Sequence, residues 1–74
     1  MNIVANNVKR ILEETGTKHK KAAELCGYSQ QRFSAMLNGR RVIKTEDVIA
    51  LCRGLNVEPN ELYRINSLNE GKPA

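Results

Sequence analysis

A chain of 74 residues, 41% hydrophobic and 4% aromatic, is long enough for one small domain and sits near the size at which a single core only just suffices. Two cysteines and two prolines exclude a disulfide scaffold, a collagen-like repeat and proline-rich disorder. No apolar run approaches the roughly 20 residues that span a bilayer, so the expected compartment is the cytosol. The formal charge of +4 is split: residues 1–44 hold nine Lys and Arg against three acids, a balance of +6, and residues 45–74 hold three against five, a balance of −2. A basic end on a small domain is the footprint of a polyanionic partner.

The polarity pattern predicts five helices and no strand. The first covers about 3–15, with Val4, Val8, Ile11 and Leu12 on one stripe, and Gly16 ends it. The second covers about 18–26, turns the small residues Ala22, Ala23 and Cys26 inward, and closes at Gly27. The third covers 29–37, opening at Ser29 as N-cap and stopping at Asn38-Gly39. After a basic loop, Thr45 is the expected N-cap of a fourth helix. Glu46 and Asp47 suit its first turn, and Val48, Ile49, Cys52 and Leu55 form its expected buried side. A fifth starts at Pro59, with Leu62, Tyr63 and Ile65 as its expected contacts and Tyr63 covering either the core or a dimer surface. The expected organisation is a domain over 1–66 and a patternless flexible tail over 67–74.

The third helix carries the most chemistry. At about 100° per residue, Phe33, Met36 and Leu37 share one side, while Gln30, Gln31, Ser34, Ala35 and Asn38 share the other. Solvated helix faces more often carry Glu and Lys. Here amides and small groups stand together: Gln bonds bidentately to an adenine edge, and Ala or Ser approaches a thymine methyl. That face reads as a DNA-recognition surface. Just before it, Lys18, His19, Lys20 and Lys21 crowd the start of the second helix, where cations oppose the helix dipole but join free amides in attracting a phosphate.

The chain resembles the phage-repressor and Cro-like (XRE-type) class of helix-turn-helix proteins over about 4–65. The marks are the block from Gly16 to Gly27 enclosing Ala23-Glu24, then Ser29, Phe33, Ser34 and Asn38-Gly39, then Leu55-Asn56-Val57 and Glu61-Leu62. The resemblance implies an all-α, compact, five-helix lambda-repressor-like DNA-binding domain whose second and third helices form the helix-turn-helix. It also implies that the third helix lies in the major groove while the second crosses the backbone. On that basis Gln30, Gln31, Arg32, Ser34 and Ala35 are the expected base readers. Lys18, His19, Lys20, Lys21, Ser29, Asn38, Arg40, Arg41, Lys44 and Thr45 are the expected phosphate contacts. The sequence departs from the family where His19 stands in place of an early Gln, and where Lys18, Lys20 and Lys21 replace the usual Ser and Glu.

Other chemistry is thin. Two thiols and one histidine without zinc-finger spacing predict no metal, Cys26 and Cys52 read as reduced core thiols, and no nucleophile with an orienting acid predicts an enzyme. No cofactor is expected. Tyr28, in the turn before the third helix, either packs inward or reaches a phosphate with its hydroxyl. The expected function is a sequence-specific regulator of transcription, a repressor acting near the nucleoid. It would bind double-stranded DNA on an inverted repeat as a homodimer formed through the fifth helix. The alternatives are an antitoxin-type or accessory protein with a protein partner, and an interaction module that has lost DNA binding.

Overall fold

The computed structural model describes residues 2–65, so the tail expected over 67–74 lies outside the described residues. Five helices follow in order: α1 (Ile3–Thr15), α2 (His19–Cys26), α3 (Gln30–Leu37), α4 (Thr45–Leu55) and α5 (Pro59–Leu62). α2 packs against α3 and α4, and α1 against α3 and α5, so α3 is gripped from two sides. Among the described residues there is no strand.

Local signals account for the helix ends. Asn2 accepts from the Ala5 amide at the start of α1, and Ser29 Oγ accepts from the Arg32 amide at the start of α3. Gly27 closes α2 at φ 82°, a left-handed conformation that costs a glycine little, and the Tyr28 amide then donates to the Ala23 carbonyl. This fixes the angle at which the chain re-enters as α3.

The core is one cluster in which Val8, Phe33, Met36, Leu51 and Leu62 are fully enclosed. Phe33, Met36 and Leu37 are buried as their helical phase predicts. α4 differs from expectation. Its first helical residue is Thr45 and its N-cap is Lys44, because Asp47 turns inward and accepts from the Lys44 amide, closing the helix one residue earlier. Its inward face is Asp47, Val48, Leu51 and Gly54, while Ile49 is 49% exposed and Cys52 and Leu55 are half-buried. Gly54 sets that rotation: a Cβ there would lie 2.5 Å from Cys26 Sγ and 2.8 Å from the Leu25 carbonyl oxygen, so α2 presses on bare backbone. Tyr63 and Ile65, expected as contacts of the fifth helix, are 51% and 42% exposed, because α5 ends at Leu62 after a single turn, which leaves Tyr63 outside the core. α2 likewise starts at His19, with Lys18 as an extended N-cap residue.

Asn7 is a buried polar residue inside the apolar stripe of α1. Its Nδ2 donates to the carbonyl oxygens of Leu62 and Arg64 at 2.8 and 2.9 Å, fastening the end of α5 to α1. Asn7 itself is buried, so its amide needs these partners, and among the described residues the two carbonyls have no other donor.

Candidate nucleic-acid interface

α3 projects from the core with Gln30, Gln31 and Arg32 exposed and Ser34 and Ala35 half-buried. Gln30, Gln31, Ser34, Ala35, Asn38 and Arg40 line one open depression of about 350 Å³ along the outer side of the helix. Four of the five expected base readers therefore share a surface, and Arg32 is absent from it. The Arg32 guanidinium lies 5.3 Å from the centre of the Tyr28 ring, with Nη2 3.9 Å from Asp47 Oδ1, on the flank facing α4.

Tyr28 does not offer its hydroxyl to solvent. It donates to Asp47 Oδ1 at 2.6 Å, and the Lys44 amide donates to Oδ2 at 2.8 Å. The Tyr28 hydroxyl, then the Lys44 amide, hold the Asp47 carboxyl below the usual carboxylate range. Burial, followed by the Asp47 bond and charge, pushes the Tyr28 phenol above its ordinary value. Asp47 carries a signal in the sequence that is easily passed over: it stands three residues after the cap, where an acid reaches back to the cap amide.

Lys18, His19, Lys20 and Lys21 are all exposed, and no side chain caps the first turn of α2. Its first amides remain open to an outside acceptor beside the three lysines. His19 also touches the core, its ring edge-on to Phe33 with centroids 6.2 Å apart and planes at 86°. Ser29, Asn38, Arg40, Arg41, Lys44 and Thr45 are exposed as well. The oxygen of Ser29 is engaged in capping α3, which leaves its O–H free to donate. Arg32, Arg41, Val42, Lys44, Glu46 and Asp47 line a second basin of about 420 Å³ between α3 and the start of α4.

A short helix closed by glycine, a tight turn and an exposed second helix thus stand together, and residues 6–64 match the family model described as a helix-turn-helix domain. The chain belongs to the helix-turn-helix domain family. No curated protein and no solved structure matches it significantly. α2 and α3 form the helix-turn-helix of this domain, and the family suggests a DNA-binding regulator, a class that is typically non-enzymatic. Among the described residues, no helix of this helix-turn-helix domain is long and apolar enough to cross a membrane, and no cluster of three or more His, Cys, Asp or Glu could hold a metal. Cys26 and Cys52 are free thiols, and burial pushes Cys26 up to about 11.

Proposed function

We propose that this protein is a sequence-specific double-stranded DNA-binding regulator of transcription that represses by occluding a promoter, with residues 1–66 as the DNA-binding unit. The observation that supports this best is the exposure of Gln30 and Gln31 on one open face of α3 while Phe33, Met36 and Leu37 anchor the opposite face. α3 enters the major groove. Gln30, Gln31, Ser34 and Ala35 meet base edges there, and Lys18, His19, Lys20, Lys21, Ser29, Asn38, Arg41, Lys44 and Thr45 contact the flanking phosphates. A single head covers only a few base pairs, so useful discrimination takes two copies on an inverted repeat. The exposed Tyr63 and Ile65 beside α5 supply apolar surface for that pairing.

Selection of bound sites from random duplex DNA tests the proposal. The expected result is an inverted repeat whose half-sites lie about one helical turn, roughly 34 Å, apart. A recovered pool without any base preference overturns it.

A further inference from the structure

Two arginines, Arg32 within α3 and Arg40 just beyond it, lie on sides of the helix that do not match the roles the sequence suggests for them, base reader and phosphate contact. Arg32 lies within the recognition helix, yet it leaves the outer depression and points along the flank toward α4. There Tyr28 lies under its guanidinium, Asp47 lies 3.9 Å away, and Arg41 and Lys44 line the same basin. Arg40 lies beyond the helix, yet it lines the outer depression with Gln30, Gln31, Ser34, Ala35 and Asn38. The backbone holds it there. Gly39 turns at φ 79°, and the Arg40 amide donates to the Ala35 carbonyl at 2.9 Å, folding the chain back over the end of α3.

Charge separates the two further. Among the described residues Arg40 pairs with no acid, so its five donors are available to a ligand. Arg32 shares its basin with Asp47 and Glu46. The Asp47 carboxylate is already occupied by the Tyr28 hydroxyl and the Lys44 amide, so Arg32 keeps a charge to offer while its direction is restricted.

We propose that Arg40 is a specificity-determining residue that reads a guanine edge through its O6 and N7, and that Arg32 holds the sugar–phosphate backbone beside Arg41 and Lys44. The inference rests on the DNA-binding reading above. A planar guanidinium matches the paired acceptors of guanine in the major groove, whereas a phosphate contact needs only a cation near the backbone and carries no base information.

The test combines site selection with affinity measurements for wild type, Arg32→Ala, Arg32→Lys and Arg40→Ala. Each is titrated on the selected duplex and on a scrambled duplex over a series of salt concentrations, after circular dichroism has matched the folded fractions. Arg40→Ala should erase a guanine preference at one position and weaken the selected duplex by about 5- to 150-fold, with a much smaller loss on the scrambled duplex. Arg32→Ala should weaken both duplexes by the same factor, leave the selected motif unchanged and reduce the salt slope by about 0.9. Arg32→Lys should restore most of that loss. A changed base preference in Arg32→Ala, no loss of binding in that variant, or equal losses on both duplexes for Arg40→Ala overturns the inference while leaving the DNA-binding reading in place. Absence of any selected motif with the wild-type protein sinks the DNA-binding reading itself, and this inference falls with it.

Discussion

The Tyr28 hydroxyl donates to Asp47 Oδ1 across 2.6 Å, joining the turn between α2 and α3 to the first turn of α4. Asp47 is only 7% exposed, so the bond replaces hydration that its carboxylate has lost. Tyr28→Phe keeps the ring over which Arg32 lies and removes only the hydroxyl. It should cost about 1.5–3 kcal/mol, the range for a hydrogen bond to a charged group, measured by urea unfolding. An unchanged midpoint would show that the carboxylate finds an equal partner elsewhere.

The same pair makes stability depend on acid. Asp47 is held below its ordinary value of 3.8 in the folded chain by the Tyr28 hydroxyl and then the Lys44 amide. Its contribution is therefore fully present above 3.8 and is lost as pH falls through the folded value. Melting temperatures from neutral pH down to acid should fall more steeply for wild type than for Asp47→Asn. Parallel profiles would remove Asp47 as a source of acid sensitivity.

Gly54→Ala would ordinarily strengthen a helix by up to about 1 kcal/mol. Here the added Cβ would meet Cys26 Cα and the Leu25 carbonyl oxygen at 2.8 Å, and neither can swing aside. Overpacking of about 1–3 kcal/mol should win, giving a net loss of stability and a displaced α2. Chemical denaturation of Gly54→Ala, alone and with Cys26→Ala, checks this. Full rescue by Cys26→Ala would show that only the sulfur was in the way.

Asn7 supplies two hydrogen bonds from one amide to the carbonyls of Leu62 and Arg64. Asn7→Ala leaves both without that donor and should cost about 1–3 kcal/mol. Asn7→Asp should cost more, since an ionised carboxylate cannot donate and repels the carbonyl oxygens. Hydrogen exchange at residues 63–65 should accelerate in both variants. Wild-type stability in Asn7→Ala would mean the amide donors contribute nothing, and equal losses in the two variants would mean that carboxylate repulsion adds nothing to the loss of the donors.

For DNA, Lys20→Ala and Gln31→Ala should fail in different ways. The lysine variant should weaken all duplexes alike and lower the salt slope by about 0.9. The glutamine variant should relax base preference at one or two positions and cost about 1–3 kcal/mol on the preferred site. Fluorescence anisotropy on selected and scrambled duplexes reads both. A Lys20→Ala variant with altered preference, or a Gln31→Ala variant without it, would reverse the assignment.

The phase of α3 is legible from one dimension because its apolar residues are large and its caps are strong: Ser29 closes one end and Asn38-Gly39 the other. α4 is not, because two of the residues on its inner face lack apolar side chains. Counting only hydrophobic groups turns the helix toward Ile49, whereas packing turns it toward Asp47 and Gly54. Both carry a sequence clue, an acid three residues past the cap and a glycine within a helix, but neither clue names its partner. Asn7 is similar: it lies three residues after Val4 and four before Ile11, within the buried stripe, and only the returning chain end explains it.

By itself the sequence determined five helices, the glycine-marked ends of the first three, the large residues of the core and the exposed amide side of α3, because caps and the 3.6-residue period act locally. Tertiary structure alone decided the rotation of α4, the occupation of the Tyr28 hydroxyl by Asp47 and the sides on which Arg32 and Arg40 come to lie. Those outcomes depend on which surfaces meet across the turns, and a long flexible side chain takes its direction from neighbours distant along the chain.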